Sequence, residues 1–281
     1  MIFLDLFGWS MRQITDIKEK QQIALGVLKY FADYCTSNKI SYSLAYGTLL
    51  GAVRHKGFIP WDDDVDVMML REEYEKFINS YNNESHPYYK LLSMHTNRDY
   101  FAPLAKMYDD RTLVNQEYGQ IEKIPYGIYI DIFIVDRLPN SFQEASFFYK
   151  KTQYMRTAWG LSIRKYSTPS SNWLRRLSSI LLMIPCKALG FRYFLKRYDK
   201  LSRNYENNNT NYAGIVLFGE GIEKEYMPLS FFYNLTDTSF EDSFFKIPLQ
   251  YDAYLTQMYG DYMMLPKEED RKIHPCKSFW K

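Results

Sequence analysis

The sequence predicts a mixed α+β protein carrying a basic helical insert, and three observations support that prediction. Helical and strand periodicities alternate through the first half of the chain, whereas helical patterning dominates 142–203. Charge is segregated in the same way: residues 150–203 hold thirteen Lys or Arg against one acid, Asp199, a net +12. The rest of the 281-residue chain carries twenty-two basic and thirty-two acidic side chains, a net −10 within an overall +2. One part is built to meet anions and the other to hold cations. The expected organisation is a core over 1–149, the basic insert over 150–203, and a C-terminal segment over 204–281 that packs back on the core.

Each element has a local reason. Asp16-x-x-Glu19 reads as a capping box, followed by Ala24, Val27, Leu28, Phe31, Ala32 and Cys35 at helical spacing; this predicts a helix over 16–37. Ile40, Tyr42 and Leu44 alternate with Ser41, Ser43 and Ala45, a short strand. Gly47–Gly51 turns into a short helix ending near Arg54, and 55–61 is a loop punctuated by Gly57 and Pro60. A second strand over Asp64–Leu70 leads into a helix over Glu72–Ile78 with Tyr74, Phe77 and Ile78 inward. Further strands are expected at Tyr89–His95, Pro103–Tyr108 and Ile128–Val135, the last ended by Asp136 as a turn residue. Helices then run from Phe142 to Arg203, interrupted at Pro169 and Pro185, before a polar Asn204–Asn211 linker and apolar pieces at Phe244–Pro248 and Tyr254–Tyr259.

Composition removes several function classes. A 46% hydrophobic chain of this length buries a full core, which excludes disorder. Cys35, Cys186 and Cys276 are odd in number and form no CxxC pair, as expected in a reducing cytosol. His55, His86, His95 and His274 form no zinc-ligand spacing. The start MIFLDLFGW lacks a basic region and carries Asp5 within its apolar stretch, so no signal peptide is expected. No apolar run approaches the roughly 18 residues of a spanning helix, and the expectation is a soluble, cytoplasmic protein. With no helix-turn-helix or RNP pattern, and a −10 remainder, nucleic acid is not an expected partner.

The chemistry is concentrated in Trp61-Asp62-Asp63-Asp64-Val65-Asp66-Val67. On a strand, Asp62, Asp64 and Asp66 share one face while Val65 and Val67 anchor the other. Three crowded carboxylates repel one another unless a cation neutralises them. Oxygen ligands without nearby His or Cys suit Mg²⁺ or Mn²⁺; the bland alternative is a solvated acidic turn. Upstream, Gly47-Thr48 sits between strand and helix, where backbone N–H groups can approach a phosphate. This Gly-Thr turn followed by a strand carrying DxD resembles the layout of a nucleotidyltransferase fold, in which two metals bridge a nucleotide's phosphates. Asp131 interrupts an otherwise apolar strand, a costly position unless paired or metal-bound, and is the expected third carboxylate.

The block Tyr46-Gly-Thr-Leu-Leu-Gly-Ala-Val-Arg-His-Lys-Gly-Phe-Ile-Pro-Trp-Asp-Asp-Asp-Val-Asp-Val67 resembles the signature of the LicD family. Lys106-Met-Tyr-Asp109, Gly127–Asp136, and the tail Tyr259-Gly-Asp-Tyr262 with Pro266, Arg271 and His274 match in order and spacing. The resemblance implies a nucleotidyltransferase-like core of mixed sheet and flanking helices. It also implies transfer of a phospho-alcohol, typically phosphocholine from CDP-choline, onto a sugar hydroxyl of a cell-surface glycan such as lipopolysaccharide or teichoic acid. On that reading Asp64 and Asp66, with Asp131, bind the metals, and CMP leaves after in-line attack on the β-phosphorus. Gly47, Thr48, Arg54, Lys56 and Lys106 are the candidate donor-binding residues, each also readable as structural or surface. Asp62 is either a further ligand or the base, and Asp63 faces away.

CDP-ribitol and CDP-glycerol fit the same block as donors. A DxD glycosyltransferase using a nucleotide sugar is the competing class, although only one clear helix and one strand precede Asp62. The insert is expected to meet the acceptor, or to dock peripherally on the inner, anionic membrane face that presents a lipid-linked sugar. Trp173, Leu177, Ile180, Leu181 and Ile184 form an apolar stripe there, ended by Pro185 and flanked by Arg175, Arg176, Lys187, Arg192, Lys196 and Arg197.

Overall fold

The computed structural model describes residues 2–4, 10–83, 85–116, 124–164, 173–271 and 276–281. Strands β1 (Ile2–Leu4) and β2 (Ser10–Ile14) precede the long helix α1 (Ile17–Ser37). The Asp16 carboxylate caps α1 by accepting the Lys18 N–H at 3.0 Å. Glu19 does not close the box; it pairs with Arg12 and accepts the Trp280 indole N–H at 2.9 Å, fastening the C-terminus to the helix start. Ala24, Val27, Leu28, Phe31 and Cys35 form the buried stripe of α1. Burying a side chain such as Phe31, which has no exposed surface, stabilises the fold by about 1.5–3 kcal/mol.

Next come β3 (Ser43–Leu44), α2 (Tyr46–Arg54), β4 (Asp66–Leu70) and α3 (Arg71–Ser80). The strand expected over 40–44 shrinks to two residues. Lys39 turns into the left-handed region at φ 55°, and the Ile40 N–H closes α1 on the Cys35 carbonyl at 2.8 Å. The chain continues through β5 (Tyr89–Leu92), β6 (Ala105–Asp109), β7 (Thr112–Gln116) and the ten-residue β8 (Tyr129–Leu138).

Three helices follow: α4 (Phe142–Ile163), α5 (Trp173–Leu189) and α6 (Phe191–Ser202). The break expected at Pro185 does not occur; α5 runs through it to Leu189, with Met183 buried and Cys186 packed against the cluster of Trp159, Ile163 and Leu195. Tertiary packing there outweighs the local cost of a helix-interior proline. Pro169 lies outside the described residues. The chain then forms β9 (Tyr212–Ile215), α7 (Ile222–Glu225), β10 (Met227–Pro228), α8 (Ser230–Tyr233), the hairpin β11 (Leu235–Phe240) and β12 (Ser243–Pro248), α9 (Tyr251–Tyr259) and β13 (Cys276–Trp280).

The architecture is α+β around a mixed sheet whose hub is β8. It runs parallel to β4, with Asp66 opposite Asp131, and antiparallel to β6, with Lys106 opposite Asp131. Its far half pairs antiparallel with β9, while β3 extends the sheet beyond β4 and β5 beyond β6. A second, antiparallel sheet in the order β1-β2-β13-β7 sets the C-terminal strand between β2 and β7.

Asp136 differs from expectation. It does not end the strand but lies inside β8, 2% exposed, held by Arg71 through two bonds of 2.7 and 2.8 Å. Arg71 also donates to Asp199 on α6 at 2.8 Å and to Ser202 at 2.9 Å. The lone acid of the basic segment is thus a buried tether between α6 and the start of α3.

Candidate active site

The site is assembled at the joint between β3, α2 and β4. The Asp66 N–H donates to the Thr48 hydroxyl at 2.8 Å, and the Ala45 N–H donates to the Asp66 carbonyl at 2.9 Å. These two bonds lock the first turn of α2 onto the first residue of β4. Gly47 lies in that turn, and a Cβ there would stand 2.9 Å from the Asp62 carboxylate. The glycine is what lets that carboxylate lie against the helix start.

Strand register sets the remaining geometry. Lys106, Asp131 and Asp66 occupy opposed positions on three adjacent strands, so their side chains stand in one row on one face. Lys106 donates to the Asp131 carboxylate and sits over the Tyr129 ring, 3.4 Å from its centroid. Asp131 and Asp136, five apart on one strand, point to opposite faces. Asp62, Asp64, Asp66, Asp131, Lys106 and Gly47 line one cleft of about 590 Å³. Regular strand begins only at Asp66, so Asp62 and Asp64 reach the cleft from an irregular segment rather than by strand alternation. Asp63 points elsewhere and pairs with Lys20 at 3.1 Å.

Electrostatics follow from this crowding. Burial, and then the charges of Asp64, Asp131 and Asp62, push Asp66 well above the usual carboxylate range, with Lys106 opposing them. A cation placed among these acids restores the ionised form. Among the described residues, no three His, Cys, Asp or Glu side chains form a ready-made cage. Carboxylate oxygens are the ligand type that suits a Mg²⁺-type ion, which is held by one or two carboxylates together with substrate phosphates. The donor set of hard oxygens around a half-buried Asp66 fits such an ion.

Arg54 and Lys56 do not line the cleft. The Arg54 guanidinium donates to the carbonyls of Tyr262 at 2.8 Å and Met264 at 3.3 Å, holding the chain after α9. Lys56 is exposed, and its carbonyl accepts the Glu241 N–H at 2.8 Å. The C-terminal motif does reach the site: Tyr259 lines the cleft, and Arg271 lies over the ring of Trp61, another lining residue, 4.3 Å from its centroid. Asp261 is exposed, and His274 lies outside the described residues.

Comparison with known proteins identifies the family. The family described as LicD/FKTN/FKRP, nucleotidyltransferase domain, matches residues 39–183, which include β4, β8 and the carboxylate row. A lipopolysaccharide cholinephosphotransferase LicD of Haemophilus influenzae is 37% identical over 273 residues, covering 94% of this chain and 97% of that protein. An uncharacterised protein of Rickettsia typhi is 45% identical over 58 residues, and one of Rickettsia prowazekii 47% over 47 residues. The chain belongs to the LicD family. It is a LicD-like phosphotransferase.

Several residues of this LicD-family cleft were not visible as site residues in the sequence. Phe101, Trp159, Phe218, Glu220 and Lys224 all line it. Glu225 stands behind it, 3% exposed, accepting the Tyr46 hydroxyl at 2.7 Å and the N–H groups of Glu220 at 2.9 Å and Ile215 at 3.1 Å. Burial pushes its carboxyl up to about 7 against the pull of those bonds. The one available signal was Phe218-Gly219-Glu220-Gly221, a glycine-punctuated turn between apolar stretches.

Proposed function

We propose that this protein transfers phosphocholine from CDP-choline to a sugar hydroxyl of a lipopolysaccharide-type glycan precursor, releasing CMP in a Mg²⁺- or Mn²⁺-dependent reaction on a nucleotidyltransferase-like core. The observation that carries this reading is the end-to-end match to a lipopolysaccharide cholinephosphotransferase. The carboxylate row in an open cleft supplies the chemistry.

Asp64 and Asp66, with Asp131, are the residues that would hold the ion. When bound, it supplies positive charge at the oxygens of the transferring phosphoryl group. The protein's own part is positioning and proton handling. Lys106, fixed between Asp131 and the Tyr129 ring, presents an ammonium to the donor pyrophosphate. The acceptor oxygen forms a bond to the β-phosphorus as the bond from that phosphorus to the bridging oxygen breaks, and CMP takes the electron pair. The hydroxyl proton goes to a carboxylate; Asp62, set against Gly47 at the helix start, is placed for that role. The first turn of α2, carrying Gly47 and Thr48, faces the phosphates with backbone N–H groups.

The acceptor side is proposed to lie along the basic helices. Leu181, Leu182, Ile184 and Leu189 of α5 are each more than half exposed, beside Lys187, Arg192 and Lys196. This pattern supports peripheral contact with an anionic membrane face. Among the described residues, no helix is long and apolar enough to cross a membrane.

The test is CMP release from CDP-choline, CDP-ribitol and CDP-glycerol with Mg²⁺ and an acceptor glycan. CDP-choline is expected to be turned over fastest, with activity abolished by EDTA. Full activity in excess EDTA would refute the metal assignment, and preference for a polyol donor or for a UDP-sugar would refute the substrate.

A further inference from the structure

The cleft carries a second feature that the transfer chemistry leaves unused: an aromatic wall built from three separate segments. The rings of Trp159 on α4 and Phe218 after β9 meet edge to face, their centroids 5.6 Å apart at 79°. The Trp159 indole N–H donates to the Phe101 carbonyl at 2.7 Å, which joins the loop before β6 to the same wall. Glu220, whose side chain is exposed, lines the cleft beside them.

Phe218 sits at φ 74°, a left-handed conformation that a bulky L-residue rarely adopts. The turn around it is pinned at nearly every peptide. The Phe218 N–H donates to the Tyr198 hydroxyl at 3.2 Å, and that hydroxyl donates to the Val216 carbonyl at 3.0 Å. The Gly219 carbonyl accepts from Tyr149 at 3.0 Å and from Arg156 at 3.2 Å. Glu225 takes the Glu220 N–H, and a Cβ on Gly219 would fall 2.0 Å from the Ile215 carbonyl. Unusual backbone held this firmly clusters at ligand clamps, where it keeps a recognition group in place.

We propose that Trp159, Phe218 and Phe101, with Glu220 as counter-charge, seat the quaternary ammonium of the alcohol being transferred. A trimethylammonium has no N–H to donate, so it is recognised by aromatic surface and a nearby carboxylate rather than by hydrogen bonds. The wall has that character. The Trp159 N–H is already spent on Phe101, so the aromatic rings themselves present no hydrogen-bond donor to the ligand. The Arg156 guanidinium, 4.4 Å from the Phe218 centroid, already occupies one face of that ring, so the ammonium is seated on the face turned away from Arg156, with Glu220 offsetting the combined positive charge. This assignment rests on the phosphocholine reading above and adds where that group is read.

The experiment compares wild type with Phe218→Leu, Glu220→Gln and Trp159→Phe in two measurements: binding of phosphocholine and of CMP by calorimetry, and KM for CDP-choline. Phe218→Leu and Glu220→Gln are expected to weaken phosphocholine binding and raise KM by roughly tenfold, with CMP binding moved less than about twofold. Trp159→Phe keeps an aromatic face and is expected to lose less. Equal weakening of CMP would overturn the assignment by placing the cytosine on the wall; no change in either ligand would reduce the wall to packing. The two proposals fail differently. A wild type that prefers CDP-ribitol and does not bind phosphocholine refutes both, whereas normal CDP-choline turnover by all three variants refutes the seat alone.

Discussion

Asp131 and Asp136 lie five residues apart on β8, and replacing each should separate chemistry from stability. Asp136→Ala strands the Arg71 guanidinium, 3% exposed, with only Asp199 and Ser202 as partners. Removing one side of a buried ion pair costs about 3–5 kcal/mol, and the surviving Asp199 contact favours the lower end, about 3 kcal/mol. Unfolding entropy of about 2.1 cal/mol/K per residue gives about 0.6 kcal/mol/K for a chain of this length, so Tm should fall by about 5 °C. Asp131→Asn keeps a hydrogen-bond acceptor for Lys106 and removes the repulsion between Asp131 and Asp66, so it should move Tm by less than about 2 °C yet abolish CMP release. Thermal melts followed by circular dichroism, with CMP release measured well below the transition, distinguish the two. A Tm for Asp136→Ala within about 1 °C of wild type would refute the buried-network argument. An active Asp131→Asn beside a folded but inactive Asp136→Ala would reverse the two roles.

Three further outcomes follow from the same geometry. Gly47→Ala, whose methyl would meet the Asp62 carboxylate at 2.9 Å, should cut kcat at least tenfold with the melt little changed; wild-type kcat would remove Asp62 from the reaction. Glu225, pushed up to about 7 from an ordinary value near 4.5, favours the folded state below pH 4.5 and loses that contribution as pH rises through 7. The loss is about 3 kcal/mol, so unfolding free energy should fall more steeply between pH 5 and 8 in wild type than in Glu225→Gln; parallel slopes would contradict it. Anionic but not neutral vesicles should sediment the protein, less so with added salt or after Arg175/Arg176→Glu, and equal binding to both vesicle types would leave α5 as ordinary packing.

How much of this was legible in the sequence depended on whether the cause was local. The α1 stripe and the Gly47 turn follow from short-range periodicity and steric need, and the fold places them at the expected positions, whereas Asp62 and Asp64 share the cleft with Asp66 without the strand alternation expected of them. Register is not local. Lys106 stood out in sequence as a cation in a strand and through the Lys106–Asp109 match, but its place beside Asp131 and Asp66 comes from three strands meeting at β8. Asp136 read as a strand end because its partner Arg71 lies 65 residues away. The stripe on 173–184 is only partly described, since side chains of 173–180 lie outside the described residues; Leu181 and Ile184 are exposed, whereas Met183 turns inward. The aromatic wall drew Phe101, Trp159 and Phe218 from segments whose individual patterns looked like ordinary packing.

The most direct test of the account is ³¹P NMR of wild type and Asp66→Asn with CDP-choline, Mg²⁺ and a lipopolysaccharide acceptor. The account predicts loss of the diphosphate signals, appearance of CMP and a glycan-linked phosphodiester with wild type, and neither product with Asp66→Asn or after chelation. Undiminished CMP release by Asp66→Asn, or CMP appearing without phosphodiester on the acceptor, would contradict it.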